Sequence, residues 1–299
     1  MRLYLSLLLL LAALLTGCTA LRLAYPQADI ILAWRANSYF DLDREQRREF
    51  SARIDRLLAW HRYEQLPEYA KFLTAAIDKA GHGLKREDIA WFVDGLRARY
   101  RVIVNRGVSD AAAILATLTP EQIVALQKQF EKNNRKFANE HELDGSAKER
   151  KRARLKKTLS QIEDWTGNLS DEQETRFAAL LEAVPLIEHL RYRDRMRRQR
   201  EFVELLKQRQ PTLEFAGRLH QWLLDWDRGR APEYVELSAE VFEQRLHFYT
   251  AVDKLLTPEQ RQYALARLQK FADDCKTLSA RPPAHAGAEA AQTAILALF

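Results

Sequence analysis

Leu118-Thr119-Pro120-Glu121-Gln122 spells a helix start in five residues. Leu stands at N′ as one half of a hydrophobic staple, and Thr caps. Pro fits N1, where its missing N–H costs nothing. Glu favours the positive end of the helix, and Gln at N3 reaches back to the cap. The same logic recurs at Leu42-Asp43-Arg44-Glu45-Gln46, Leu169-Ser170-Asp171-Glu172-Gln173 and Leu256-Thr257-Pro258-Glu259-Gln260. The spacings between them are 76, 51 and 87 residues, too irregular for a solenoid of fixed repeat. Ser146-Ala147-Lys148-Glu149 is a fifth start, after the break at Asp144-Gly145.

Between these starts the apolar residues repeat with helical period. Phe50, Ile54, Leu57, Leu58 and His61 share one face, as do Phe215, Leu219, Trp222, Leu223 and Trp226. Pro26 and Pro211 suit helix starts, Leu66-Pro67 reads as a break, and Pro185 ends or kinks the helix begun at Asp171. One long helix is expected from about Arg86 to Leu118, with a possible interruption near Gly107. Ten Gly and nine Pro are few for 299 residues, and no alternating strand pattern bounded by turns occurs. The fold class is therefore all-α: an array of about ten helices, some long and kinked, over residues 18–280. Possible lobes are 21–144 and 146–280. Residues 281–299 read as a flexible tail, rich in Ala, Pro and Gly at first.

The first residues are of another kind. Met1-Arg2 gives a positive start, and thirteen nearly all apolar residues, Leu3 to Leu15, follow. That is a secretory signal, too short for a spanning helix of about 20 residues. Leu15-Thr16-Gly17-Cys18 resembles the bacterial lipoprotein signal. The resemblance implies cleavage between Gly17 and Cys18, acylation of Cys18 (palmitate among the chains), and a mature chain held by lipid on the periplasmic side. Thr19, where Asp would favour the inner membrane, implies the outer membrane. Several acyl chains hold a domain stably where one binds only marginally.

Formal charge is +6, and removing Arg2 lowers it by one. In an envelope compartment the expected partner is an anionic lipid, a glycan or an acidic protein face, not nucleic acid. With Cys18 acylated, Cys275 has no disulfide partner; it lies on an apolar helical face and reads as a buried, inert thiol.

Arg191-Tyr-Arg-Asp-Arg-Met-Arg-Arg-Gln-Arg200 is the most unusual internal stretch. Arg191, Arg193, Arg195, Arg197, Arg198 and Arg200 could present a docking face, since guanidinium suits bidentate recognition of phosphate and carboxylate. The plainer reading is an exposed connecting helix neutralised by Glu188, Glu201 and Glu204. Lys148 to Lys157 is a second basic run, read as a solvated face over a packed one. Seven scattered histidines show no ligand spacing, so no metal or cofactor is expected. His61, beside Trp60, reads as packed.

Two family resemblances follow from particular residues. Leu21-Arg-Leu-Ala-Tyr25, Ala33-Trp34, Tyr39-Phe-Asp-Leu-Asp43, Gln46, Leu57-Leu-Ala-Trp-His-Arg62 and Leu66-Pro-Glu-Tyr-Ala70 look like an uncharacterised family of Gram-negative lipoproteins, a domain-of-unknown-function group. That resemblance brings no activity and no functional residues. Leu118-Thr-x-x-Gln122 and Leu256-Thr-x-x-Gln260 resemble the motif of small helical periplasmic chaperones and stress sensors. The leading expectation is a non-enzymatic, outer-membrane-anchored lipoprotein that binds a protein or envelope component. The alternatives are a chaperone-like holdase and an enzyme that cleaves peptidoglycan. Helical lipoproteins of the last kind typically carry a catalytic Glu in a Glu-Ser pair, which this chain lacks.

Overall fold

The computed structural model describes residues 20–280. The signal segment, Gly17, Cys18 and the 281–299 tail lie outside the described residues. The described chain is all-α. In order come α1 (Ala20–Ala24), a 3-10 turn (Tyr25–Gln27), α2 (Ala28–Phe40), α3 (Arg44–Trp60), a π turn (His61–Gln65), α4 (Leu66–Gly81) and α5 (Arg86–Ala116). Then follow α6 (Pro120–Glu140), α7 (Ala147–Thr166), α8 (Asp171–Glu182), α9 (Glu188–Lys207), α10 (Leu213–Leu224), α11 (Pro232–Leu255) and α12 (Pro258–Ala280).

The cap signals form as read. Asp43, Thr119, Ser146 and Ser170 each accept from the N3 amide, and each N3 side chain accepts from the cap amide. Thr257 and Gln260 make the same exchange. Two local expectations change. Leu66-Pro67 does not break the chain: Pro67 has no N–H to continue the α ladder, and the backbone widens, with the Leu66 N–H donating to the His61 carbonyl. Gly107 does not interrupt α5, which runs unbroken; a Cβ there would sit 3.6 Å from Leu57, on the neighbouring α3.

The four Gln-bearing starts meet in two pairs. Gln46 and Gln122, 76 positions apart, exchange side-chain amide bonds: Gln46 Nε2 donates to Gln122 Oε1 at 3.1 Å, and Gln122 Nε2 to Gln46 Oε1 at 2.6 Å. Each also donates to the carbonyl two residues before the other's cap, Thr117 at 3.0 Å and Asp41 at 2.8 Å. Gln173 and Gln260 repeat the pattern at 2.7 and 3.0 Å, with the carbonyls of Leu255 and Asn168 as the outer acceptors. Each Oε1 also accepts from its own cap amide, so the polar atoms of all four amides are fully used.

These paired turns position the core. Leu42 and Leu118, the N′ residues of the first pair, are buried with Leu115, Ile123 and Leu126, and the same cluster takes in Phe202, Leu206, Phe215 and Leu219. A second cluster joins Ile162, Phe177, Leu181, Val184, Val241, Phe248 and Val252. A third lies where α4 runs along α12, around Leu66, Ala70, Cys275 and Leu278. Packing therefore crosses the Asp144-Gly145 turn: α9 and α10 complete the core begun by α2 to α6.

Gln122→Ala should cost about 1–3 kcal/mol, because it takes the buried Gln46 amide's partner away and leaves the part-buried Asp41 carbonyl and Thr119 amide without theirs. Gln46→Ala should cost a similar amount. The double variant should cost clearly less than the sum, as expected of partners in direct contact. Urea unfolding of the four proteins in the cycle measures this.

Candidate functional site

A groove of about 1000 Å3 lies between α6, α9 and α10. It puts three of the six sequence-selected arginines, Arg197, Arg198 and Arg200, beside Phe130 and Asn134 of α6, Arg218 and Trp222 of α10, and Arg228. Glu131, Glu201, Glu204 and Asp225 also line it, so it is mixed in charge.

The arginine ladder is not the uniformly solvated helix the composition suggests. Arg197 is the clearest case, with a side chain only 16% exposed. It pairs with Asp194 at 2.7 Å and Glu201 at 2.6 Å, and donates to the carbonyls of Arg228 at 2.7 Å and Trp226 at 3.3 Å. Burial works to lower its pKa, and the two carboxylates outweigh that and raise it. Gly229, at φ 70°, lets the loop come this close; a Cβ there would stand 3.3 Å from the guanidinium.

Arg198 lies over the Trp222 ring at 4.1 Å and donates to the Trp222 carbonyl. That indole also stacks on Phe202, 4.6 Å between centroids. Burial lowers the Arg198 pKa, which is the sign of a packed cation. The Trp222 Nε1 donor is buried with no acceptor among the described residues. Arg195 donates to Asn134 at 2.7 Å, and Asn134 and Gln199 exchange bonds at 2.7 and 3.0 Å, fastening α9 to α6.

The remaining three arginines are exposed. Arg191 lies 5.8 Å from the Phe137 ring, and Arg193 pairs with Glu233 at 3.2 Å on the surface. Arg200 has no ion pair among the described residues, and neither has Arg228 across the groove. Arg228 is the contributor that the sequence pattern did not single out; it lies in a loop, away from any helical stripe.

A second cluster of titratable groups lies half-buried beside the π turn. The Tyr25 hydroxyl meets His61 Nδ1 at 2.8 Å, and the Tyr69 hydroxyl meets Nε2 at 3.3 Å. Burial lowers the His61 pKa and pushes Tyr25 up to about 12. Cys275, 4% exposed, is pushed up to about 11 by burial, so its thiol is protonated and inert at neutral pH. Among the described residues no group of three or more His, Cys, Asp or Glu side chains could hold a metal ion. No single described helix is long and apolar enough to cross a membrane.

The class defined is thus an all-helical protein with a groove of mixed charge. Residues 38–235 match a family of unknown function, DUF6279, and the chain belongs to that family. No curated protein and no solved structure matches the chain.

Arg197→Gln should destabilise the fold by about 1–3 kcal/mol, since it takes both hydrogen bonds from Asp194, which keeps only the Arg230 ion pair at 3.5 Å, and leaves two loop carbonyls without their Arg197 donor. Arg200→Gln should change stability by less than about 0.5 kcal/mol. Thermal or urea unfolding separates the two.

His61 also gives the fold a pH dependence. Its folded pKa lies below the ordinary 6.5, so between those values the unfolded chain binds more protons. Stability is full above about 6.5 and falls as pH drops through that window. His141 acts in the same direction, first through burial and then through Lys157 and Arg191. The shifted carboxylates Asp88, Glu121, Glu149, Glu182 and Glu259 are all lowered, so their contribution is lost only below about 4.5. His61→Gln should flatten the fall in unfolding midpoint between pH 7 and pH 5 and leave the fall below pH 4.5 in place.

Proposed function

We propose that the chain is a non-enzymatic lipoprotein, held at the periplasmic face of the outer membrane through Cys18. It binds an acidic protein segment or other anionic envelope component in the α6–α9–α10 groove. The observation that carries this reading is the pair Arg200 and Arg228. Both line the groove without an ion pair among the described residues, while Arg197 and Arg198 beside them are committed to carboxylates, carbonyls and an indole. A guanidinium left with free donors beside amide side chains such as Gln127, Gln208 and Gln221 favours carboxylate or phosphate ligands. The alternative of a peptidoglycan-cleaving enzyme needs a Glu with a raised pKa. Glu121, Glu149, Glu182 and Glu259 are instead lowered, by hydrogen bonds at helix starts or, for Glu182, from Lys151.

A holdase is the second reading. It is favoured by the equivalent places of Leu118–Gln122 and Leu256–Gln260 in the two paired turns, which give both motifs one structural role. Suppression of client aggregation by the isolated protein would support it.

Two experiments test the main reading. Cys18→Ser should abolish acylation and release the protein from the outer-membrane fraction; unchanged fractionation refutes the anchor. A photo-crosslinking residue at the exposed Gln221 should form a discrete adduct in cells. Charge reversal by Arg200→Glu with Arg228→Glu should abolish that adduct without loss of helix content. An adduct of equal yield in the reversed variant refutes the groove.

A further inference from the structure

We infer that the outer face of α1 and α2 lies on the lipid surface, as a second membrane contact beside the acyl anchor. The inference rests on the Cys18 anchor of the proposed function. Exposed large apolar side chains concentrate here: Leu23 at 62%, Ile31 at 45%, Leu32 at 38% and Trp34 at 55% fall within twelve residues. Ile31, Trp34 and Arg35 follow the i, i+3, i+4 spacing and are all exposed, so they share one face of α2. The inward face is already occupied, because Ala36, Tyr39 and Phe40 pack against the core around Leu42 and Leu126.

The occupant follows from chain connectivity. Cys18 stands two residues before Ala20, where α1 begins, so at most about 7 Å of backbone separates the acylated residue from the helix. A bilayer that holds Cys18 is therefore adjacent to α1, and Leu23 is one turn further on. An interfacial helix buries an apolar face in the headgroup region, with Trp at that depth and cations toward phosphate. Trp34 and the exposed Arg35 supply both. Arg35 lies 5.2 Å from the Tyr39 ring and has no ion pair among the described residues. Arg22, by contrast, is engaged with the buried Asp274, which holds α1 against α12 and fixes how its outer face is presented.

The test separates this face from the anchor. The chain from Cys18 onward is coupled through that thiol to maleimide-headgroup lipid in phosphatidylethanolamine–phosphatidylglycerol vesicles. Cys275, buried and protonated, does not compete. Part of the lipid carries brominated acyl chains, which quench tryptophan at the interface. The expected result is quenching that is largely lost in Trp34→Phe. Leu23→Gln with Ile31→Gln and Leu32→Gln should reduce it about twofold or more, with unchanged circular dichroism. Equal quenching of the parent chain and Trp34→Phe, or none in the parent, overturns the inference. Acylation of the native chain is read independently, from the mass of its N-terminal peptide, so failure of the anchor and failure of the face are distinct results.

Discussion

Two pairs of glutamine amides fix where the helices of this protein begin relative to one another. A side-chain amide has two donors and one oxygen with two lone pairs. In each pair every one of these is used: the oxygen serves its own cap amide and the partner's amide, and the donors serve the partner's oxygen and the partner's turn. Gln46 and Gln122 are buried, where an unmet amide is costly, so the two turns can neither slide nor separate without stranding several polar groups. The N′ leucines stand beside this polar contact and carry it into the apolar core. The apolar residues of the helices that start there join the two main core clusters.

Residue choice at N3 explains why four starts pair and the fifth does not. Glu and Gln serve equally well as the returning half of a capping box. Only Gln can also donate to a second turn. Ser146 and Glu149 make a complete box, and Glu149 accepts from the cap amide at 2.7 Å, yet this start is exposed and stands apart. A carboxylate facing another carboxylate or an acceptor carbonyl would be repelled. Gln at N3 is thus the mark of a start that meets another one.

The helices and their caps were legible because they depend on neighbours within four positions. The pairing was not, because irregular spacings of 76, 51 and 87 hide a regular fact: first meets second, and third meets fourth. The arginine helix misled for a related reason. A run with only Tyr192 and Met196 as apolar residues reads as solvated, since periodicity registers only apolar burial. The partners of Arg195, Arg197 and Arg198 are carbonyls, carboxylates, an amide and an indole face, several of them 24 to 61 positions away. Guanidinium can pack flat against a ring while its edge donates, so a polar stripe can be a packed one. The π turn was hidden by the same limit. Pro67 marks a lost hydrogen bond, but whether the chain breaks or widens depends on α12 packing against it.

Helix α6 ties the groove to α2. On one side Phe130 meets the Tyr39 ring edge-on at 6.4 Å, and Asn133 donates to the Tyr39 hydroxyl at 2.7 Å, so α6 is fastened to α2. On the other side Asn134 is locked to Arg195 and Gln199 of α9. Phe130 and Asn134 also line the groove. Two adjacent asparagines with opposite partners thus join the groove wall to α2. α6 therefore stands between the groove and α2. The first amide pair holds the other end of α6, which begins at Gln122's own turn. The polar clasp, the groove and the face of α2 are thus set by one element, and a change that loosens its N-terminal turn would be felt at both surfaces.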